Sequence, residues 1–216
     1  MIIGMHVAID LKVLYFGTPV VLIGSRNPDG TANLAPMSSA WWLSQSCMLG
    51  LGNSAQTTTN LLRERQCVLN LAPSSMAGAV DRLALTTAAP VVPAHKAAIG
   101  YRYESDKFAT AGLTELAGEI VAAPRVAECP IQLECEVAAA HPFGVPEPHA
   151  TAFQVNVIRA HVEEDLLVPG THYVDPRRWD PLIMKFCELF GGGDNVYPSR
   201  LAAGWRMPHR LRPTMA

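Results

Sequence analysis

NLAPMSSAWWLSQSCMLGLGNSAQTTTN, residues 33–60, is the stretch that decides how this chain reads. It begins with a tight turn and a small-residue loop. It then passes through an apolar run and ends in a hydroxyl-rich segment that opens a helix. An apolar core segment has no use for Ser38, Ser39, Ser54, Thr57, Thr58, Thr59 and Asn60 at those places. An anion site does, because hydroxyls, amides and free backbone N–H groups at a helix start all donate.

Outward from this stretch the chain alternates strands and turns. Residues 19–25 (PVVLIGS) are a β-branched run, and Asn27-Pro28-Asp29-Gly30 is a turn signal before residues 31–33, so the pair reads as a hairpin. Residues 41–51 form a second apolar run that stops at Gly52-Asn53. Residues 57–65 read as a helix with Ser54 or Gln56 near its cap. QCVLNL (66–71) reads as a strand and 74–85 as a helix. The Pro- and Ala-rich stretch 88–112 reads as loop and short helix over a ligand. Residues 129–140 and 152–167 alternate like strands, the second of them long. Residues 176–190 read as a helix capped by Asp175 and ended by the glycines at 191–193. Short strands with a few outlying helices predict a mainly β fold, a barrel with helical decoration. No repeat or low-complexity linker divides residues 1–216, which read as a single domain with a C-terminal helical extension from about 176 to 216.

Composition narrows the class. Charged residues make up 17%, below the usual quarter, and the net charge is −2. Neither attracts nucleic acid or an anionic membrane surface. Half the residues are apolar, more than one small core needs, which points to burial between subunits. Five cysteines without a CxxC read as reduced thiols. The N-terminus MIIGMHVAIDL lacks a basic n-region and a cleavage site, and no run reaches the ~18 apolar residues of a membrane span. This reads as a soluble cytoplasmic protein.

The seven histidines have no metal-ligand spacing, so no metal is expected. GxSxG is absent, and the glycines at 191–193 follow a predicted helix rather than a strand, unlike a dinucleotide fingerprint. The chemistry therefore falls to a cofactor. A flavin suits the pattern. Its pyrimidine edge has one N–H donor and two carbonyl acceptors, which the backbone of an irregular segment meets, and its N5 takes a small donor. Asn33, Leu34, Ala35, Pro36 and Met37, followed by Ser38 and Ser39, supply these. Its phosphate takes clustered donors at a helix start. Ser54, Gln56, Thr57 and Asn60 supply these, with Thr57 and Asn60 on one helix face.

These residues carry a resemblance. PVVLIGSRNPDGTANLAPMSS, NSAQTTTNLLRERQCVLNLAP, SDKFATAGLTELAGEIVAAPRVAECPIQLECEV and VDPRRWDPLIMKFCELFGG occur in this order over residues 19–200. The chain resembles the flavin reductase-like family with the FMN-binding split-barrel fold, on its flavoredoxin and nitrilotriacetate-monooxygenase-reductase side. The resemblance implies a homodimer with noncovalent FMN, NAD(P)H as co-substrate, and a partner monooxygenase that receives reduced flavin. It implies that 33–39 cradle the ring, with Ser38 or Ser39 polarising N5, and that Ser54, Gln56, Thr57 and Asn60 hold the phosphate. Gly52, Asn53 and Thr58 belong to the same cofactor segment, and Lys107 and Tyr197 contact flavin or substrate. His95 and Lys96 face either phosphate or solvent.

The chain departs from the family at the Gly-Asp-His run whose His lies near the nicotinamide. HPFGVPEPHATAF stands there, with His149 at a shifted spacing. Trp41 and Trp42 also stand where smaller residues are common. Two other readings stay open: an FMN enzyme acting directly on an organic, biosynthetic substrate, and a tight FMN electron carrier.

Overall fold

The computed structural model describes residues 6–196 and 199–209. Its centre is a seven-stranded antiparallel sheet. In chain order the elements are β1 (Phe16–Pro19), β2 (Val21–Arg26), β3 (Ala32–Met37), β4 (Ala40–Leu43), β5 (Ser46–Gly52), α1 (Gln56–Glu64), β6 (Gln66–Leu71) and α2 (Ala77–Leu83). Then come β7 (Thr86–Thr87), α3 (Ala94–Ala97), β8 (Arg102–Tyr103), α4 (Lys107–Ala111), β9 (Glu115–Leu116) and β10 (Arg125–Val126). The long hairpin β11 (Ile131–Phe143) and β12 (Ala150–Val162) follows, then β13 (Ile183–Lys185), β14 (Glu188–Phe190) and α5 (Arg200–Gly204).

The main sheet runs β3-β2-β6-β11-β12-β5-β4. Its two edge strands, β3 and β4, are consecutive in the chain and joined only by Ser38 and Ser39. The sheet therefore curls back on itself without a closing ladder, the split of a split barrel. Bulges in the β11–β12 register at Glu134/Cys135 and Val137/Ala139 supply local bends for that curl. Gly50 sits where the curl is tightest. Its N–H donates to the Ser39 carbonyl at 2.8 Å, and a Cβ there would lie 3.1 Å from the Ser39 Cβ.

Both faces of the sheet are covered, which explains the apolar composition. Val21, Ile23, Leu49, Leu51, Leu69, Phe153 and Val155 fill the inside. The alternate residues Val20, Leu22 and Leu34 pack outside against α2 and α4 through Val80, Leu83 and Phe108. The expected hairpin at 19–33 is present. Gly30 turns it at φ +84°, and the Asp29 carboxylate accepts from the Thr31 N–H and hydroxyl. Cys47, Cys67, Cys129 and Cys135 are buried free thiols, as read, and Cys187 is exposed.

One expectation needs correction. The helix expected at 176–190 is a turn and a hairpin. Asp175 does accept from the Arg177 N–H, at 3.0 Å, but Pro181 has no N–H to continue a helix. Leu182 then bonds to the Ala72 carbonyl, and residues 183–190 form β13–β14 around the positive-φ pair Phe186 and Cys187. β13 pairs with β1, so this hairpin closes a small three-stranded sheet. The apolar run 41–51 is two strands that turn at Ser44. Ala55 holds the α1 cap position without a side-chain bond, with Ser54 and Gln56 on either side of it.

One buried charge holds the outer wall. Glu134, fully buried on β11, accepts from the N–H groups of Glu119, Ile120 and Val121 at 2.7–3.0 Å, and His161 Nε2 lies 2.7 Å away. Burial alone would raise its pKa. The Val121 N–H, the His161 ring and the other two N–H groups hold it down to about 2. Its contribution to stability is thus complete above the ordinary value of 4.5 and lost as pH falls from there towards 2. Glu134→Gln keeps the volume and gives up the charge. Hydrogen bonds to charged groups are worth ~1.5–3 kcal/mol, so urea unfolding at pH 7 should show a loss of that order. The variant's acid-unfolding slope between pH 4.5 and 2 should also be shallower.

Candidate functional site

A cleft opens beside β3. One wall is the edge strand β3, through Asn33, Ala35, Pro36 and Met37, with Leu51 from β5 beside it. Because β3 pairs only with β2, every second residue turns its backbone N–H and C=O away from the ladder. Pro36 is tolerated for the same reason. Ala55, Gln56 and Thr57 at the start of α1 form the second wall. The end of α2 and the Thr86–Ala88 segment form the third, and Lys96, Tyr101 and Lys107 complete it.

The polar groups of the first two walls are mostly engaged with one another. Asn33 Nδ2 donates to Ser25 Oγ at 3.0 Å and Thr57 Oγ1 at 3.1 Å. Asn60 Nδ2 donates to Ser25 Oγ and Asn27 Oδ1, both at 3.1 Å, and its Oδ1 accepts from Gln56 Nε2 at 2.9 Å. Thr58 Oγ1 donates to the Gly52 carbonyl at 2.8 Å. One atom in this group is left over: Asn33 Oδ1 is buried without a partner.

The lysines are not engaged in this way. Lys107 is 3% exposed, and its Nζ reaches the Thr86 carbonyl only at 3.5 Å. Burial, with the nearby charge of Lys96, pushes its pKa down to about 8, while Glu104 acts the other way. Lys96 is also lowered by burial. Its ammonium donates to the Ser54 carbonyl at 3.0 Å and lies 5.5 Å from the Tyr101 ring centre, while His95 Nε2 is 3.3 Å from Ser54 Oγ. No carboxylate lines the cleft. Two partly desolvated ammonium groups in a cleft lined by no carboxylate favour an anionic ligand.

Of the residues expected at a site, Asn33, Ala35, Pro36, Met37, Gln56, Thr57 and Lys107 come together on the cleft walls. Leu34 belongs to the outer core. Asn60 and Thr58 are buried fasteners of α1. Ser38 and Ser39 lie at the β3–β4 corner, beyond the lining, and Ser54 sits behind Lys96. Gly52 and Asn53 form the turn before α1. Asn53 binds the Pro148 and His149 carbonyls and the Thr151 hydroxyl. His149 is exposed on the β11–β12 turn and does not line the cleft. Tyr197 lies outside the described residues. The Thr86–Thr87 pair and Tyr101 were not legible as site residues, since hydroxyls after a helix and a loop tyrosine have no spacing signature. Among the described residues no group of His, Cys, Asp or Glu could hold a metal, and no helix is long and apolar enough to cross a membrane.

Comparison with known proteins agrees with this architecture. The family model for the flavin reductase like domain matches residues 13–181. The uncharacterized protein YdfE of Bacillus subtilis (strain 168) is 35% identical over 187 residues, covering 86% of this chain and 88% of that protein. Flavoredoxin from Methanosarcina acetivorans superposes with a TM-score of 0.74 at 23% identity, over 94% of this chain and all of its own. Nitrilotriacetate monooxygenase component B from Bacillus cereus gives 0.69 at 21%, covering 84% and 87%. The chain belongs to the flavin reductase-like family and has its split-barrel fold.

Asn60→Ala tests the structural assignment of this residue. It strips Ser25, Asn27 and Gln56 of a shared buried partner, and unsatisfied buried groups cost about 1–3 kcal/mol each. A fall in denaturant stability of at least that size should appear, with any loss of ligand affinity equal for phosphorylated and unphosphorylated forms.

Proposed function

We propose that the chain is an FMN-binding oxidoreductase that takes hydride from NADH or NADPH and hands reduced flavin to a partner monooxygenase. The observation that carries the reading is the cleft: an edge strand with free backbone groups on one side, and two lysines with no carboxylate in the lining on the other. The residues fit FMN. The unpartnered Asn33 Oδ1 is an acceptor for a ring N–H. The backbone of 33–37 meets a pyrimidine edge, and the lysines, Gln56 and Thr57 meet a single phosphate. We assign Ser38 and Ser39, next along the same strand, to the N5 side of the ring.

FMN supplies the hydride-accepting chemistry when bound. The chain positions and polarises: backbone N–H groups near the ring's carbonyl edge favour negative charge there, and the apolar wall of Met37 and Leu51 excludes water. We also propose one cytoplasmic domain acting as a homodimer. Trp41 (57% exposed) and Leu43 (71%) form apolar surface on the free edge strand β4, suited to a second copy.

A second reading is an FMN enzyme acting directly on an organic substrate, with Trp41, Trp42 and the 141–149 loop shaping the pocket. It is favoured by His149, the nicotinamide-side candidate, standing exposed and outside the cleft of its own chain. Aerobic NADH and NADPH oxidation with and without added FMN separates the two. Fast turnover with free FMN is expected; a bound yellow cofactor that neither nucleotide bleaches supports the second reading. In stopped-flow reduction, a tenfold slower His149→Ala would place this residue at the nicotinamide after all. A rate within twofold of wild type would favour the second reading.

A further inference from the structure

The cleft is crossed by a strap. Residues 88–101 leave its third wall at Ala88 and return to it at Tyr101, both of which line the cleft. The feet of the strap are fixed, because Thr86 pairs with Arg102 and Thr87 with Tyr103 in the parallel β7–β8 ladder. Between the feet the tip, α3, reaches the turn that leads into α1. His95 Nε2 lies 3.3 Å from Ser54 Oγ, and the Lys96 ammonium donates to the Ser54 carbonyl at 3.0 Å. Ser54 stands immediately before Ala55, Gln56 and Thr57, which form the second wall. At the α1 end the cleft is therefore bridged from wall to wall. The bridge is held by polar contacts and not by packing. None of residues 89–100 is buried, and Val91 and Ile99 are exposed. A segment with so little apolar burial opens at low free-energy cost.

We propose that this strap sets the length of flavin the cleft accepts, with His95 and Lys96 as its fasteners on Ser54. It stays closed over a flavin that ends in its phosphate, and a flavin dinucleotide forces it open. The inference rests on the flavin phosphate lying at the start of α1, as proposed above. FMN ends there in a phosphate monoester. FAD continues from the same point through a further phosphate to adenosine, and that continuation runs into Ser54 and the strap tip. Binding FAD therefore breaks the contacts to Ser54 and withdraws the Lys96 ammonium from the lining. Binding FMN keeps both.

Fluorescence titration of the full chain with riboflavin, FMN and FAD reads the strap as a ratio of affinities. Wild type should bind FMN at least tenfold more tightly than FAD. His95 is exposed and outside the cleft lining, so His95→Ala removes one fastener and leaves the walls in place. It should tighten FAD fivefold or more and leave FMN within threefold of wild type. His95→Gln, whose amide can still donate to the Ser54 hydroxyl, should keep the wild-type ratio. A gain in FAD affinity is an outcome that neither a damaged fold nor a lost charge produces. Limited trypsin digestion of wild type gives a second readout. Lys96 is the one tryptic site in residues 88–101, so saturating FMN should protect the bond after it and saturating FAD should not. Equal affinity of wild type for FMN and FAD, no tightening of FAD by His95→Ala, or equal protection of Lys96 by the two flavins would overturn the strap assignment and leave the flavin reading standing. If none of the three flavins binds, both fall.

Discussion

The side chain of Asn60 joins the helix to the sheet, and the geometry of the cleft follows from that joint. It is fully buried, and it bonds to Ser25 on β2, Asn27 in the hairpin turn and Gln56 at the start of its own helix. Asn33 enters the same network through Ser25 and Thr57. Two strands, a turn and a helix start are thereby fixed mainly by amides and hydroxyls, with the Arg63 guanidinium reaching Asn60 Oδ1 at 3.5 Å. Such a network is specific because each member is costly to leave unpaired. It sets the angle between β3 and α1, and those two elements are two walls of the cleft.

That arrangement also decides which groups remain for a ligand. Polar atoms facing inward are used to hold α1, so they have little left to donate. What remains are the outer backbone groups of β3, the Asn33 carbonyl oxygen and the two lysines. The third wall comes from a different layer, the outer core that α2 and α4 form on the far face of the sheet. Lys107 is buried because Phe108 and Ala111, on the same short helix, are core residues. The packing that stabilises α4 therefore also desolvates its lysine. Core formation and site electrostatics are one event here.

Much of this was legible in the sequence, for identifiable reasons. The hairpin at 19–37 announces itself through Asn-Pro-Asp-Gly, and the β11–β12 pair through its period-two alternation. Asn33, Ala35, Pro36, Met37 and Lys107, all expected at a site, line one cleft, while Leu34 packs into the outer core. The segment 176–190 was misread because a capping Asp before Pro looks like a helix start. The deciding facts were Pro181 and pairing with β1, which is remote in sequence and short. Asn60 shows a related ambiguity. A buried amide that fastens a helix and one that binds an anion look the same until their partners are known, and those partners, Ser25 and Asn27, lie more than thirty residues away.

The same ambiguity bears on hydroxyl-rich helix starts in general. Ser, Thr and Asn before a helix satisfy free N–H groups, and an anion would satisfy the same ones. Here the α1 cap position is held by an alanine with no side-chain bond, so the first-turn N–H groups are not used up by Ser54 or Gln56. The Thr58 hydroxyl turns instead to the Gly52 carbonyl and shapes the approach to the helix. The N-terminal end of α1 thus keeps its partial positive charge on the side where Ala55, Gln56 and Thr57 meet the cleft. A helix end and a buried ammonium then act on one space from two layers of the fold. Two layers of the fold thereby bring positive charge to one space in a chain whose net charge is −2.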